Sequence, residues 1–165
     1  MTSREGPIVG GCLCGEVRYE GAELWGAAYC HCRRCQKSTG GPFLCAAQLP
    51  LDSFRISRGS PRWYRSSEIC DRGFCSQCGT PLFFRYLPSQ WSDWVLVAIG
   101  SLDDPESVRP ERHFGVDSKI PWLEIHDDLP SEAFSEGFIE KHAAEDRANP
   151  KRDPVAWRLA TTLKE

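Results

Sequence analysis

The sequence predicts a mainly β domain with short helices at its carboxyl end, and three observations lead to that fold class. The first hundred residues divide into short runs rich in aromatic and β-branched residues, each bounded by Gly, Pro, Asp or Ser, as strands and turns are. Residues 131–163 follow a helical pattern instead. Seven of the nine cysteines stand in three close groups, so we expect the β domain to be stapled through them.

The composition is that of one ordinary globular domain. The chain has 165 residues, of which 41% are hydrophobic and 26% charged, and this excludes a disordered chain. The cysteine count is odd and the amino terminus shows no apolar signal segment, so we expect reduced cysteines and a cytoplasmic location. The longest apolar run, residues 94–99, is far shorter than the roughly 20 residues that span a bilayer, so no membrane partner is expected.

Seven strands are predicted in the first hundred residues, at positions 16–20, 25–32, 44–49, 54–57, 62–65, 81–86 and 94–99. A turn near Gly21 separates the first two. Alternation such as that of Val95 and Val97 indicates strands with one buried face. Residues 103–105 mark a further turn, and residues 120–125 are predicted to form a last short strand.

The carboxyl-terminal part is predicted to contain two helices. Residues 131–147 form the first, which ends at Asn149-Pro150, and Asp153-Pro154 begins the second, which reaches Leu163. The apolar stripe of the second helix comprises Val155, Leu159 and Leu163. The chain thus divides into a β domain, residues 1–130, and a helical extension, residues 131–165, which packs on that domain or joins a homo-oligomer through a partner subunit.

Three groups of cysteines have the spacing of metal ligands. They are Cys12-Leu13-Cys14, Cys30-His31-Cys32-Arg33-Arg34-Cys35 and Cys75-Ser76-Gln77-Cys78-Gly79. Side chains at i and i+2 of an extended strand share a face, so each of the first two groups can direct a pair of sulfurs at one ion. In the third group the glycine permits the positive φ of a tight knuckle. Unligated buried thiols would not produce three such groups, so a metal is predicted.

Thiolate ligands favour zinc over hard cations, and the triple lacks the fourth cysteine of a cysteine-only iron–sulfur cluster. Seven ligands divide between two zinc ions as a closed four-thiolate site and an open three-thiolate site. Spacing alone does not decide which groups pair. Cys32, Cys35, Cys75 and Cys78 form an alternative set, although its halves are farther apart than the usual zinc-ribbon interval of about 15 to 20 residues.

The charge distribution disfavours nucleic acid as a partner. Residues 101–140 carry three basic and eleven acidic side chains. Seven ionised cysteines with two zinc ions would change the formal net charge from −3 to about −6, whereas binding to phosphates needs the opposite sign.

The cysteines stand in longer motifs. These are Gly10-Gly11-Cys12-Leu13-Cys14-Gly15-Glu16-Val17-Arg18-Tyr19, then Cys30-His31-Cys32-Arg33-Arg34-Cys35 with Ser38 and Gly40, then Arg72-Gly73-Phe74-Cys75-Ser76-Gln77-Cys78-Gly79-Thr80-Pro81-Leu82, then Gly100-Ser101-Leu102-Asp103-Asp104-Pro105 and Asp117-Ser118-Lys119-Ile120-Pro121-Trp122. In order and spacing the chain resembles the glutathione-dependent formaldehyde-activating enzyme family, which also includes centromere protein V. The resemblance spans about residues 8–130 and leaves the helical tail outside.

This resemblance implies a zinc-stapled β-tent fold and a ligand assignment. It gives a structural zinc to Cys12, Cys14, Cys75 and Cys78, and a more open zinc at the catalytic centre to Cys30, Cys32 and Cys35. The chain departs from the family at one position. The family's pattern usually has an aromatic residue two positions after the histidine that matches His113, where this chain has Gly115.

Several residues near the cysteines have two interpretations. Arg33, Arg34 and Lys37 form a basic cluster that can bind the carboxylates of a glutathione-like thiol or compensate the negative charge of three thiolates on zinc. His31 points away from the metal if the cysteines on either side of it share a strand face. Cys45 and Cys70 are expected to be core thiols, with a fourth-ligand or nucleophile role as the alternative for Cys45. The core is likewise expected to contain Trp91, Trp94 and Trp122, with a pocket wall as the alternative.

The open site predicts the chemistry. Each thiolate donates electron density, so three of them make zinc a weak Lewis acid, but the open position suits a soft sulfur ligand that stays able to attack carbon. In agreement with the family resemblance, we expect a carbon–sulfur lyase that joins glutathione, or a similar thiol, to a small aldehyde. The alternative is a non-enzymatic, zinc-stabilised binding module whose acidic residues 101–140 and amphipathic tail contact a protein.

Overall fold

The computed structural model describes residues 4–88, 91–134 and 137–148. The elements in this part of the chain are β1 Arg4–Gly11, β2 Arg18–Cys30, α1 Arg33–Thr39, β3 Leu44–Pro50, β4 Arg55–Arg58, β5 Arg62–Ser67, β6 Cys70–Phe74, β7 Pro81–Tyr86, β8 Trp94–Ala98, β9 His113–Phe114, β10 Ser131–Glu132 and α2 Phe138–Ala148. Strands predominate, so the mainly β fold class predicted from the sequence is confirmed.

The long strand β2 is shared by two groups of strands. Its first half pairs with β1 on one side and β4 on the other, and its second half pairs with β3 and, in parallel, with β9. The main sheet then has the order β10-β9-β2-β3-β8-β7-β6-β5. The register of β2 against β3 shifts between Trp25 and Ala28, where Gly26 has a φ of +59°. Such a bulge bends the strand and lets it pass from one group to the other.

The main hydrophobic core is filled by one face of β3, β7 and β8. Leu49, Phe83 and Val97 lie in it with at most 4% of their surface exposed. Tyr19 of β2 is fully buried there, and its ring meets that of Phe83 edge-on at 5.0 Å. Its hydroxyl lies 2.7 Å from the Ser101 hydroxyl, which replaces the water that the phenol loses on burial.

The opposite face of β3 and β8 supports α1. Leu44, Ala46 and Leu96 alternate with the core residues along these strands and pack against Cys35 of α1. The helix ends at Gly40, whose φ of +70° and N–H bond to the Gln36 carbonyl form a left-handed cap. The period of two along the strands therefore sets α1, and the cysteines at its start, on the open face of the sheet.

Helix α2 packs on the same part of the sheet. Ala143 is 4% exposed and forms a small core with Ile69 and Cys70, and Phe138 and Ile139 pack against that core. In the described part of the chain neither helix has the length and apolar character that a membrane crossing needs.

The predicted turn near Gly21 is wrong, because β2 continues through that residue. The glycine serves close packing instead: a Cβ added there would lie 2.7 Å from Cδ2 of Leu49. The strand predicted for residues 25–32 also ends early, at Cys30, and α1 begins at Arg33. Cys32 is consequently the residue that precedes a helix rather than part of a strand.

Four strands were not predicted: β1, β6 and the two-residue strands β9 and β10. In β6 the charged pair Asp71 and Arg72 interrupts an otherwise apolar run, and this conceals the strand pattern. Asp71 is satisfied inside the sheet, since Nε of Arg65 donates to it at 2.6 Å and Nη2 of Arg85 lies 3.5 Å away. Neighbouring strands thus supply the partners that the local sequence does not.

The strand predicted at residues 120–125 is absent from the structure, in which this segment is irregular. Pro121 has no N–H to donate to a neighbouring strand. Trp122 is 73% exposed, and the N–H of Leu123 closes a turn onto the Ile120 carbonyl at 3.0 Å. Without a partner strand, apolar residues at this position do not form a ladder.

The helix predicted for residues 131–147 begins later, at Phe138, after Gly137 with a φ of +71°. Ser131 and Glu132 instead form β10, and the Gly115 N–H donates to the Glu132 carbonyl at 2.7 Å. The second predicted helix, with Val155, Leu159 and Leu163, lies outside the described residues.

Candidate metal centre

Four cysteines from two distant turns meet in one cluster. The sulfurs of Cys12, Cys14, Cys75 and Cys78 all lie within 4.8 Å of one another. The Sγ atoms of Cys12 and Cys14 are 3.5 Å apart, and those of Cys14 and Cys75 are 3.8 Å apart. We call this set the knuckle cluster. It joins the turn after β1 to the turn between β6 and β7.

The two turns of the knuckle cluster are built alike. The N–H of Gly15 donates to the Cys12 carbonyl at 3.0 Å, and the N–H of Gly79 donates to the Cys75 carbonyl at 2.9 Å. Both glycines have φ near +75°, at +73° and +75°, in the left-handed region that other residues avoid. Cys12 and Cys14 are thus brought together by a turn and not, as the sequence suggested, by a strand.

Polar groups around the knuckle cluster favour ionised sulfur. The Thr80 hydroxyl lies 3.1 Å from Cys78 Sγ and lowers the pKa of that thiol to about 5. The same oxygen accepts the N–H of Leu13 at 3.2 Å, which leaves its own hydrogen available to the sulfur. The N–H of Val17 points at Cys12 Sγ from 3.2 Å. Hydrogen bonds of this kind stabilise thiolates.

The remaining three cysteines form a second set, the triple cluster. The sulfurs of Cys30, Cys32 and Cys35 also lie within 4.8 Å of one another, with the first two 3.5 Å apart. Cys30 ends β2, Cys32 precedes α1, and Cys35 lies in its first turn. Cys35 is 4% exposed, whereas the other two are half-buried.

The triple cluster calls for a cation. Contact with the neighbouring thiols lowers the pKa of Cys32 to about 2, and the same contact raises that of Cys30. One sulfur therefore ionises at the expense of its neighbours, because like charges so close together repel. All three sulfurs can be thiolates together once a metal ion lies among them.

Arg72 of β6 is the basic residue that contacts the triple cluster. Its Nη2 lies 3.6 Å from Cys35 Sγ, and its guanidinium lies over the ring of Phe84 at 4.7 Å. Arg72 is only 8% exposed, and within the described residues no carboxylate lies within 4.0 Å of its guanidinium. A buried guanidinium needs a countercharge, and Cys35 can supply it when a metal ion keeps its sulfur ionised.

The spacing of the sulfurs fits zinc. Zinc–sulfur bonds are about 2.3 Å long, so tetrahedral ligands stand about 3.8 Å apart. The measured separations of 3.5 and 3.8 Å are close to that value. The knuckle cluster offers four ligands and the triple cluster three, so the latter leaves one tetrahedral position free for a further ligand.

A cleft of about 240 Å³ opens beside the triple cluster, and all three of its cysteines line it. Its polar walls include Arg34, Arg72, Arg112 and Glu132, and its apolar walls combine five aromatic side chains with aliphatic ones. None of the four cysteines of the knuckle cluster lies among the residues around it. A neighbouring cavity of about 330 Å³ on the same sheet face contains none of the seven. The triple cluster is therefore the one that faces a cleft.

The predicted basic cluster divides in the structure. Arg34 lines the cleft and donates to the Ser66 carbonyl at 3.4 Å. Arg33 donates to Oε1 of Gln36, and Lys37 is exposed; neither is among the cleft-lining residues. Arg112, which the sequence analysis did not single out, lines the cleft instead. It comes from the loop before β9, so only the fold brings it there.

His31 points away from the triple cluster and begins a chain of hydrogen-bonded side chains. Its Nε2 lies 2.8 Å from Nδ1 of His113, whose Nε2 lies 3.0 Å from Oδ1 of Asp127. If the His113 ring is neutral and donates to Asp127, its Nδ1 accepts the Nε2 hydrogen of His31. Nδ1 of His31 is then left buried with no partner among the described residues.

Gly115 lies against the backbone of the triple cluster. It has a φ of +69°, and an added Cβ would stand 3.0 Å from the Cys32 nitrogen and 3.1 Å from its Cβ. An aromatic side chain at this position would need a different local backbone. The departure from the family pattern therefore goes with close packing of the ligand loop.

The other predicted candidates lie apart from both clusters. Burial raises the pKa of Cys45 to about 11 and that of Cys70 to about 12, so both are neutral thiols near pH 7. Cys45 is not close enough to join the triple cluster as a fourth ligand. Trp91 stacks on Phe138 with ring centroids 5.8 Å apart, and the exposure of Trp122 contradicts the expected core position.

Comparison with known proteins adds three findings. The model of the family described as glutathione-dependent formaldehyde-activating enzyme matches residues 7–118, which include all seven clustered cysteines. A Schizosaccharomyces pombe protein named as an uncharacterized lyase is 34% identical over 80 residues, which cover 47% of this chain and 56% of that protein. The chain thus matches little more than half of that relative. A crystal structure of a Rhodobacter sphaeroides protein matches with a TM-score of 0.48 and 24% identity, over 62% of this chain and 91% of the other.

Proposed function

Because this chain belongs to the glutathione-dependent formaldehyde-activating enzyme family, we propose that it is a zinc-dependent carbon–sulfur lyase that forms and cleaves adducts of a small thiol with an aldehyde. The observation that carries the proposal is the contrast between the two clusters. The knuckle cluster has four sulfurs and lies outside the cleft, whereas the triple cluster has three and lines it. A free coordination position in a cleft is of use to catalysis and of none to a scaffold.

We assign a zinc ion to each cluster. In the knuckle cluster Cys12, Cys14, Cys75 and Cys78 hold a structural ion. In the triple cluster Cys30, Cys32 and Cys35 hold the ion of the catalytic centre. Zinc with three thiolate ligands supplies a position where a thiol can be held in its deprotonated form.

The arginines of the cleft suit a thiol that carries carboxylates, as glutathione does. Arg34 and Arg112 line the cleft, and a guanidinium can hold a carboxylate through two parallel hydrogen bonds. Arg112 also lies 3.6 Å from Glu132, so its charge is shared with a cleft residue until a ligand arrives. Arg72 has a different task, because its contact with Cys35 offsets the negative charge of the sulfurs.

The reaction needs no oxidant or reductant. In the forward direction the thiol sulfur forms a bond to the carbonyl carbon, the π electrons of the carbonyl move to oxygen, and the thiol's proton ends on that oxygen. Cleavage reverses each of these changes. The chain's own residues hold the thiol by its carboxylates, neutralise the sulfur-rich floor and keep water out through the aromatic walls of the cleft.

The rate of exchange tests this proposal. Glutathione and formaldehyde combine reversibly without a catalyst, so only acceleration is informative. We expect the purified, metal-loaded protein to accelerate exchange between free glutathione and its hydroxymethyl adduct, measured by NMR magnetisation transfer. Cys32→Ser should abolish the acceleration, whereas Cys45→Ser, which changes a cysteine outside both clusters, should retain it.

The rival function is a zinc-stabilised binding module. If the protein contains both zinc ions but accelerates exchange with none of several thiols and aldehydes, the lyase function is overturned in favour of the binding module. All nine cysteines are unpaired thiols, which supports our further proposal of a reducing, cytoplasmic location.

A further inference from the structure

One side of the cleft is built by residues beyond the part of the chain that matches the family. The match ends at residue 118, yet Glu132, Phe134, Phe138 and Ile139 all line the cleft. They come from the end of β10, from the segment that follows it and from the first turn of α2. The carboxyl-terminal segment is thus part of the site and not only a packing element.

Two of these residues, Phe134 and Phe138, lie beside Phe114 of β9. We call Phe114, Phe134 and Phe138 the aromatic wall. The ring centroid of Phe134 lies 5.3 Å from that of Phe114 and 4.7 Å from that of Phe138. All three side chains are half-buried, so their rings present surface to the cleft. On the sheet side Phe84 and Tyr86 line the same space. Rings at these distances offer edges and faces to a further ring.

The position of Phe134 is set by its backbone. Its N–H donates to Oδ1 of Asp117 at 2.6 Å, and Asp117 belongs to the short turn Val116–Ser118 that follows Gly115. Gly115 in turn contacts Cys32 of the triple cluster. A short chain of contacts therefore ties the aromatic wall to the loop that carries Cys32. These contacts keep the wall beside the sulfurs of the triple cluster.

Formaldehyde gives such a wall nothing to bind. It is a single carbon with its oxygen, whereas the cleft measures about 240 Å³, near the lower bound of about 300 Å³ for sites that take drug-sized ligands. The polar thiol finds its partners at the arginines, and its carboxylates gain nothing from phenyl rings. The apolar surface of the wall is therefore available to the group that the aldehyde brings.

We propose that the aldehyde substrate of this protein carries an aromatic or branched apolar substituent, which the aromatic wall binds. The inference rests on the proposed lyase function and names its substrate class. The chemistry is unchanged: sulfur bonds to the carbonyl carbon, and the proton of the thiol ends on oxygen. The phenyl or branched alkyl group leaves water and enters the cleft, and burial of that apolar surface favours the adduct.

Two matched aldehydes test the substrate class. Acetaldehyde and phenylacetaldehyde are both aliphatic at the carbonyl and differ by one phenyl group. With glutathione as the thiol, we expect kcat/KM for exchange to be at least tenfold higher with phenylacetaldehyde. Equal values, in a protein that does accelerate the acetaldehyde reaction, would overturn the inference and leave the lyase function in place.

A binding measurement removes the dependence on turnover. S-ethylglutathione and S-(2-phenylethyl)glutathione are thioethers that have no carbonyl and do not react. Calorimetric titration of the metal-loaded protein should give a dissociation constant at least tenfold lower for the phenylethyl compound. If this preference is found and no aldehyde exchange is accelerated, the ligand class is supported and the lyase function is overturned. Equal affinities overturn the inference.

Variants locate the preference in the wall. Phe134→Ala should reduce the ratio of the two dissociation constants to within about threefold. Trp122→Ala removes an aromatic side chain that is 73% exposed and does not line the cleft, so the ratio should stay as in the unchanged protein. A ratio that survives Phe134→Ala, in a protein shown by circular dichroism to be folded, would overturn the assignment to the wall.

Discussion

Arg72 and Arg85 lie on neighbouring strands and are equally buried, at 8% exposure each, yet they contact different kinds of side chain. Arg85 lies 3.5 Å from the carboxylate of Asp71, and Arg72 lies 3.6 Å from the sulfur of Cys35. A buried guanidinium costs several kcal/mol unless an anion offsets it. At the scale of single residues, the triple cluster therefore helps to hold β6 in place, in addition to supplying metal ligands.

We expect Arg72→Met to weaken zinc binding at the triple cluster by about 10 to 100-fold, as loss of a residue that contacts a ligand does. Competition with a chromophoric chelator measures this, because we expect the two clusters to release zinc in separate phases. The matched control is Arg85→Met. It should lower the melting temperature, because the buried carboxylate of Asp71 loses one of its two arginine partners. It should leave both phases of zinc release unchanged.

A second residue-scale prediction concerns Gly115. Gly115→Ala and Gly40→Ala both place a side chain at positive φ, which costs about 1 to 2 kcal/mol of stability. Only the first also pushes on Cys32, since an added Cβ at Gly40 meets nothing within 4 Å. We expect a larger loss of stability in urea for Gly115→Ala, and weaker zinc binding at the triple cluster for Gly115→Ala alone. Equal zinc affinity in both variants would contradict the packing argument.

At the scale of elements, β9 has only two residues but joins three parts of the chain. Its backbone pairs with β2 and β10, and the His113 side chain links His31, beside the ligands, to Asp127 in the following loop. The rings of Tyr29 and His31 also stack on His113, with centroids 5.0 and 5.1 Å away. So short a strand is held by its side chains more than by its ladder.

We expect His113→Phe to lower the free energy of unfolding by about 1 to 3 kcal/mol, because it leaves the buried Nε2 of His31 without its partner. Equilibrium urea unfolding measures the change. His126→Ala is the matched control, since His126 is exposed and its neighbour at 3.6 Å is the exposed Glu124. The control should change stability by less than about 0.5 kcal/mol.

The elements also show where local sequence is informative. Strands β3, β7 and β8 were predicted because each is a short, largely apolar run flanked by turn residues. β6 was missed because its charges are satisfied only by neighbouring strands, and Gly21 was misinterpreted because its role depends on Leu49, which is distant in the sequence. Residues 120–125 have strand-like composition but no partner. Each difference comes from a contact between segments that the sequence does not place together.

At the scale of the whole molecule, the knuckle cluster links residues that are farther apart in the sequence than those of the triple cluster. Its contact between Cys14 and Cys75 spans 61 residues, whereas the triple cluster lies within one turn and the start of one helix. A link across a long loop restricts the unfolded chain more than a local one. Zinc at the knuckle cluster should therefore stabilise the fold, and zinc at the triple cluster should serve the cleft.

We expect Cys78→Ser to unfold the domain or to lower its melting temperature strongly, because structural zinc binding is coupled to folding. Cys35→Ser should lose one zinc ion and keep the β-rich circular dichroism spectrum. Elemental analysis and thermal melts measure both. A Cys78→Ser variant that melts like the unchanged protein would contradict the structural role of the knuckle cluster.

Much of the site could be predicted from the sequence because its ligands are close together along the chain. The three cysteine groups, and their division into four and three, follow from spacing and from the family resemblance. Arg72, Arg112 and Phe134 could not be placed in this way, because strand order and the path of the last segment bring them to the cleft.

Strand β6 carries Arg72, which contacts the triple cluster, and runs directly into Cys75 of the knuckle cluster. The guanidinium can reach Cys35 only when β6 is in place. An ion bound at the knuckle cluster would hold the end of that strand. We therefore expect the two ions to load in a fixed order and to leave in the reverse order. A cell short of zinc would then keep this protein folded but idle, and a renewed supply would restore its activity without refolding.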